Sequence, residues 1–430
     1  MTEPLRVALA GLGTVGAGVI RLLAANRDLI ARRAGRPIEV VAVSARDRFR
    51  NRGVDIDGIE WRDDPIALAS IDEAHVVVEM IGGSEGVAFD LANAAIANGK
   101  AFVTANKAMI AHHGLELARA AEAAKVAFKY EAAVAGGVPV IKGLREGAAA
   151  NEIDRVYGIL NGTCNFILTT MEAEGHDFAE VLADAQAQGF AEADPSFDVD
   201  GVDAAHKLSI LASLAFGTAI DFDDVLRSGI RDVSAGDIAQ ARALGYRVRL
   251  IGFAATEPDG LFQRVHPCLV PENHPLAHVA GAMNAVVAEG NFVGRLFFEG
   301  RGAGEGPTAS AVVADLIDVA RGETGPAFAM PVANLSPARA CDPGRRVGRY
   351  YLRFTVVDRT GVLAELTAAM RDAGVSIESM IQRAETAGGG VPIVMTTHDA
   401  PESAIAAALN ALSGSPSLTA PPMMMPILEL

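Results

Sequence analysis

The sequence predicts an α/β protein of three units: a doubly wound dinucleotide-binding domain, an α+β domain with its own sheet, and a small C-terminal βαββαβ unit. Three observations carry this. A strand runs straight into a Gly-x-Gly-x-x-Gly turn at the start of the chain, apolar strands then alternate with Ala-rich helical stretches to about residue 130, and a second strand–helix alternation restarts after a Gly/Pro-rich stretch near residue 350. At 430 residues, half of them hydrophobic, the chain is long enough for several cores.

Leu5 to Ala10 reads as the first strand, and Gly11-Leu12-Gly13-Thr14-Val15-Gly16 follows it into an amphipathic helix carrying Val19, Ile20, Leu22 and Leu23. In that context Gly11 and Gly13 let the backbone turn and approach a pyrophosphate. Gly16 allows close helix packing, and the helix N-terminus offers free amides to the phosphates, which is the Rossmann-type arrangement. The second strand, Ile38 to Val43, ends in Ser44-Ala45-Arg46-Asp47-Arg48 without the acid that would bind ribose hydroxyls. Arg46, with Arg48, points to the 2′-phosphate of NADP over NAD; a plain charged loop is the alternative, since Arg50 and Arg52 continue the run.

Further strands are expected at His75–Met80, Ala101–Thr104 and Val126–Tyr130, with helices at Phe89–Ala97 and Leu115–Ala124. Ligands bind beyond the carboxyl ends of such strands, which singles out Ile81-Gly82-Gly83, Thr104-Ala105-Asn106-Lys107 and Glu131. The small-residue loop Ala132 to Pro139 can turn carbonyls toward a cation or serve as a tight domain crossing, and from the residues alone the crossing is preferred.

Ile153–Leu160 reads as a strand leading to Asn161-Gly162-Thr163-Cys164-Asn165 and a helix; Cys164 has no His nearby and reads as structural rather than nucleophilic. Ala185 to Lys207 then gathers five carboxylates, Glu192, Asp194, Asp198, Asp200 and Asp203, before an Ala/Leu helix. Asp203 and Lys207 stand at i,i+4, so both lie on one helix face, and an ammonium can be aimed into a cleft by its carboxylate neighbour as a proton donor and its orienter. A solvated acidic loop with a surface ion pair is the plain alternative, whereas a calcium loop fails on ligand spacing.

Short β-rich runs at Arg249–Ala254, Ala285–Glu289 and Arg295–Phe298 imply an added sheet, with His266 beside Pro267 as a packing or surface residue. Gly302 to Pro307 breaks the chain, and Thr308–Arg321 forms an apolar helix that returns to the first domain. Gly322–Arg349 reads as a linker. Beyond it come a strand at Tyr350–Val357, a turn at Asp358–Gly361 and a helix at Val362–Ala373. Strands at Ser376–Arg383 and Val391–Thr397, an Ala-rich helix and a strand at Met424–Leu430 complete a ferredoxin-like unit.

Composition excludes several classes. The formal net charge of −16 argues against nucleic acid and anionic membranes, and no apolar run reaches the ~20 residues of a membrane span. Cys164, Cys268 and Cys341 are far apart and odd in number, so no disulfide framework or clustered metal site is expected. With no signal-peptide pattern at MTEPLRVALAGLG, a cytoplasmic protein is expected, and Asn161-Gly162-Thr163 is then no glycosylation site.

These residues resemble homoserine dehydrogenase in the form that carries a C-terminal ACT domain. The resemblance runs the length of the chain and is most specific over Ala185–Lys207; the GLGTVG turn, Thr104–Lys107, Glu131 with its loop, and Gly158–Thr163 share it. It implies reversible NAD(P)-dependent interconversion of L-homoserine and L-aspartate 4-semialdehyde, on the way to threonine, methionine and isoleucine. It further implies Lys207 as proton donor, Asp203 as its orienter, Glu192 on the substrate's amino group with Asp198 nearby, and Lys107 between cofactor and substrate. A structural Na+ or K+ on the carbonyls of Glu131, Val134, Gly136 and Val138 also belongs to the resemblance, as does threonine as an allosteric effector on the ACT unit. The cofactor contacts expected are Gly11, Leu12, Gly13, Thr14, Val15, Gly16, Arg46, Thr104 and Lys107. The implied units are 1–138, completed by 305–322, for the dinucleotide; 139–304 for substrate and dimerisation; 323–349 as linker; and 350–430 for regulation. A homodimer or homotetramer is expected. Another dehydrogenase on the same fold, or a non-catalytic dinucleotide and amino-acid sensor, are the competing readings.

Overall fold

The computed structural model describes residues 3–382 and 390–429. The first unit comprises β1 (Leu5–Ala10), α1 (Thr14–Ala25), α2 (Arg27–Ala34), β2 (Ile38–Ser44), β3 (Glu60–Trp61), β4 (Val76–Glu79), α3 (Val87–Ala97), β5 (Ala101–Thr104), α4 (Lys107–Ala124) and β6 (Phe128–Lys129). Its strands run parallel in the order β3-β2-β1-β4-β5-β6, so the direction of winding reverses between β1 and β4. The crevice at that switch point is where such a sheet takes a ligand. Val7, Leu9, Val76, Val78 and Val103 are fully buried, as expected of strands covered on both faces.

The chain crosses over through α5 (Val140–Lys142) into β7 (Ile153–Ile159), α6 (Gly162–Glu174), α7 (Phe178–Ala187), the one-turn α8 (Ser196–Val199) and α9 (Val202–Phe216). Then come β8 (Leu226–Arg227), α10 (Ala235–Ala243), β9 (Tyr246–Glu257), β10 (Gly260–Pro271), β11 (Met283–Gly290) and β12 (Gly294–Arg301). The second sheet has the order β12-β11-β7-β9-β10-β8, antiparallel except where β10 meets β8. The expectation of short runs here is corrected: β9 and β10 form a hairpin of two twelve-residue strands. Pro267 sits inside β10 without breaking it. It pairs with Leu250 of β9, while β8 reaches only Arg264 and Val265, so the missing N–H falls where no second neighbour needs it. His266 is buried, a packing residue.

α11 (Glu305–Arg321) returns to the first unit and shares its core with α1 and the parallel sheet. Contact with α1 is close, since a Cβ on Gly18 would lie 2.6 Å from Glu305 Cγ. The stretch read as a linker is not a free tether: Tyr130 Oη donates to Ala327 O at 2.8 Å, Phe328 is buried, and Ser336 bridges to Thr218.

The last unit contains β13 (Val347–Gly348), β14 (Tyr350–Val356), α12 (Val362–Asp372), β15 (Ile377–Gln382), β16 (Val391–Thr397), β17 (Ala400–Pro401), α13 (Glu402–Ala411) and β18 (Leu418–Pro426). Its four-stranded sheet, β15-β16-β14-β18, has the ferredoxin-like order. The final strand spans Leu418–Pro426 rather than Met424–Leu430, and the expected strand end at Arg383 and chain end at Leu430 lie outside the described residues. This unit is docked rather than dangling. Tyr351 Oη and Arg353 Nε both donate to buried Asp237, at 2.8 and 2.7 Å, and Arg264 forms a two-pronged pair with Glu402.

Candidate active site

A cleft of about 920 Å³ opens between the carboxyl end of the parallel sheet and the second unit, lined from Val15 in the glycine turn to Lys107, Asp198, Asp203 and Lys207. The two ends of the sequence reading therefore meet in one space.

At the dinucleotide end, Gly11 N donates to Ser44 O at 2.8 Å. A Cβ on Gly11 would lie 2.6 Å from Met80 O, and one on Gly16 would strike Gly11 O, whereas a Cβ on Gly13 would meet nothing within 4 Å. The outer glycines are demanded by the fold, and the middle one leaves open the approach a pyrophosphate needs. The residues thus fit a dinucleotide. Arg46 is exposed just past β2. A residue the sequence reading passed over orders this rim: Arg52 donates from Nε to Leu12 O at 3.0 Å and from its terminal nitrogens to the carbonyls of Asp47 and Arg50.

The polar strand ends are wired together. Glu79, buried at the end of β4, accepts from Thr104 Oγ1 at 2.6 Å and from the amides of Ile81 and Gly82. Thr104 Oγ1 takes the amide of Asn106, and Asn106 caps α4 through Met109 N. Lys107 is therefore the first residue of a capped helix rather than part of a loose loop, because the helix begins eight residues before the expected Leu115. Its Nζ lies 5.5 Å from the Phe197 ring centroid.

At the opposite wall, Gly201 adopts a left-handed conformation, and α9 starts after it with Asp203 in its first turn. Lys207 Nζ donates to Asp203 Oδ2 at 2.7 Å and to Leu160 O at 2.8 Å. Lys107 Nζ lies 3.1 Å from Asp203 Oδ1, and Asn161 Nδ2 donates to Asp203 Oδ2 at 2.8 Å. Burial works to raise the Asp203 carboxyl, but Lys207 and Lys107 outweigh it and hold the group far below the usual carboxylate range. Behind this pair His206 stacks on Phe222, with Nε2 3.3 Å from His112 Nε2; burial and then His112 lower it to about 4, so it is neutral near pH 7.

The five carboxylates of the acidic segment part company. Asp198 and Asp203 face the cleft. Asp200 pairs with Arg231, and Asp194 accepts from Ser196 N at 3.1 Å on the surface. Glu192 is exposed and outside the cleft lining, on a loop whose Glu192 and Ala193 carbonyls accept from Gln186 Nε2. Cys164 is buried with its thiol pushed well up by burial, consistent with a structural role.

In the crossing loop Ala135 and Gly136 take consecutive left-handed conformations, and a Cβ on Gly136 would lie 2.4 Å from Gly302 O. The Glu131 side chain points away from solvent and accepts from Ile141 N at 3.0 Å and Lys142 N at 2.9 Å, while its own N donates to Asp315 Oδ2 at 2.8 Å. Burial and Asp315 push Glu131 up to about 7.

Comparison with known proteins agrees with this layout. The profile described as "Homoserine dehydrogenase" matches residues 139–317, "Homoserine dehydrogenase, NAD binding domain" matches 11–131, and "ACT domain" matches 350–414. The homoserine dehydrogenase of Pseudomonas aeruginosa is 46% identical over 427 residues, covering 96% of each chain. A crystal structure of a homoserine dehydrogenase from Thiobacillus denitrificans superposes with a TM-score of 0.93 at 41% identity, covering 99% of each chain. A hyperthermophilic archaeal homoserine dehydrogenase, solved in complex with NADPH, is similar at 26% identity and a TM-score of 0.64, covering 74% of this chain and 97% of its own.

Proposed function

The chain belongs to the homoserine dehydrogenase family, and from that premise we propose how its cleft divides the work. It is an NAD(P)-dependent oxidoreductase acting on a CH–OH group. The observation that carries the assignment of roles is Asp203, one oxygen on each of two lysines, on the wall facing the glycine turn.

The dinucleotide, when bound, supplies or accepts the hydride at its nicotinamide. Residues 1–138 with 305–322 hold it, with the glycine turn from Gly11 to Gly16 against the pyrophosphate and Thr104 and Lys107 near the reacting end. In the direction of L-homoserine, the carbonyl carbon of L-aspartate 4-semialdehyde gains hydride while its oxygen gains a proton from the Lys207 ammonium. Asp203 keeps that ammonium oriented. Lys107, half-buried on the other oxygen of Asp203, is placed to pass a replacement proton from solvent. The substrate's ammonium needs a carboxylate, and of the two that line the cleft Asp203 is engaged by both lysines, which leaves Asp198 for it. Glu192 joins it only if the Gly189–Asp194 loop folds inward.

Arg46 favours NADP, the cofactor named in the archaeal complex. The paired left-handed residues Ala135 and Gly136 support a structural Na+ or K+ on the carbonyls of Glu131, Val134, Gly136 and Val138, since such a reversal turns successive peptides to one side. The docked ACT unit supports feedback by threonine in threonine and methionine biosynthesis, and residues 139–304 are the dimerising part. Initial rates of homoserine-dependent reduction of NADP and NAD, with and without threonine, test this reading. Turnover with NADP ahead of NAD and inhibition by threonine are expected; equal rates remove the role of Arg46, and indifference to threonine removes the regulatory one.

A further inference from the structure

Asn161 takes no part in the reading above, yet it touches more of the cleft's machinery than any other neutral side chain described there. It is buried at the N-cap of α6, where Oδ1 accepts from Cys164 N at 2.8 Å. That bond fixes which way the amide faces: the oxygen is committed to the helix, so the NH₂ must point the other way. Both of its hydrogens are used, one on Asp198 Oδ1 at 2.7 Å and one on Asp203 Oδ2 at 2.8 Å. The same helix end grips the acidic segment a second time, with Cys164 Sγ donating to Asp198 O at 3.2 Å.

We propose that Asn161 is a positioning residue that joins the two working carboxylates of the cleft, setting the substrate-facing Asp198 against the Asp203–Lys207 proton pair through a single amide. Asp198 and Asp203 carry like charges and share one neighbour. A neutral group with two hydrogens can bind both at once, where a carboxylate would repel them and a hydroxyl would satisfy only one. Asn161 thereby holds the two anions together without a proton between them, and it ties where the substrate sits to where the proton is delivered. The inference rests on the roles proposed for Asp198, Asp203 and Lys207.

Asn161→Asp separates this from a merely structural role, because aspartate caps a helix as well as asparagine but offers no NH₂ to the carboxylates. The purified variant is compared with the unchanged protein in homoserine oxidation across pH. The expected result is a kcat lower by roughly 30-fold or more near pH 8, a raised KM for homoserine and an unchanged KM for NADP. The deficit should shrink toward pH 6, as a proton taken up among the three carboxyls restores a donor. Asn161→Ser, which keeps the cap with a smaller group, repeats the test should the aspartate variant fold poorly, and is expected to show the kcat loss without the recovery at low pH. A wild-type kcat and pH profile in a folded variant overturns the proposal. Lys207→Ala run alongside tells the two readings apart: if it keeps full turnover, the assignment of roles falls and this proposal with it; if it is inactive while the Asn161 variants behave as wild type, only this proposal falls.

Discussion

Asp203, in the wall of the cleft, and Asp315, inside the core under α11, are both buried aspartates, and they are driven in opposite directions. Asp203 has a cation on each oxygen, Lys207 at 2.7 Å and Lys107 at 3.1 Å, and stays far below the usual carboxylate range. Asp315, on α11, accepts from Glu131 N through one oxygen, while the other has no hydrogen-bond partner and only Lys142 Nζ 3.8 Å away. Burial pushes it up to about 6, against the pull of Lys142. Burial with one distant ammonium therefore raises a carboxyl, and two well-aimed ammonium groups reverse the direction of the shift. The second arrangement suits the roles proposed for the cleft, since a proton-transfer lysine would need an anion that stays an anion, whereas Asp315 packs inside the core under α11.

Removing the cation that matters most breaks the contrast most severely. Lys207→Ala is expected to lower kcat by about 10²–10⁴, the usual worth of a placed acid or base, with NADPH affinity by fluorescence titration unchanged. An unchanged kcat would mean the proton comes from elsewhere. Asp203→Asn keeps the shape but leaves two lysines without their anion; about 100-fold in kcat and about 3–5 kcal/mol of stability at pH 7 are expected losses, measured by steady-state rates and urea melts. The sign can be stated: with its folded-state affinity for protons depressed, Asp203 stabilises above its unfolded value near ~4, and that contribution fades as pH falls below it. The penalty of the asparagine variant should accordingly shrink in acid.

Asp315→Asn sharpens the comparison from the other side. The folded state keeps a proton here that the unfolded chain releases near ~4, so wild-type stability declines as pH rises from there to about 6 and stays reduced above it. The variant lacks this decline. Relative to wild type it should gain up to about 3 kcal/mol between pH 4 and pH 7 in urea melts, with kcat within about twofold. A constant difference across that window would show that Asp315 is ionised throughout.

The sequence reveals the parts of this site whose partners are close in the chain. Asp203 and Lys207 are one helical turn apart, and the glycine turn follows its strand directly, so local periodicity is enough to place them. Asn161 and Leu160 reach the same pair across 42 and 47 residues, and Glu79 meets Thr104 across 25, so nothing in the local pattern announces them. Arg52 is hidden for a different reason, because in a run of four arginines only the fold shows which one turns back onto Leu12 O. The fold class, the order of the units and most strands of the first sheet were legible from hydrophobic alternation. β10 was not, since Pro267 in mid-run reads as a break; pairing with β9 along its whole length makes it a strand, and the thin pairing on its other side tolerates the proline.

The measurement that tests the contrast most directly is a carboxyl-carbon NMR titration of aspartate-labelled protein from about pH 3 to about pH 8, with Asp203→Asn and Asp315→Asn identifying the two signals. The expected result is a signal from Asp315 that titrates near about 6 and one from Asp203 that remains ionised to the lowest pH at which the protein stays folded. An Asp203 signal that titrates at or above the ordinary carboxylate value would contradict the claim that two lysines hold it as the permanent anion of the cleft.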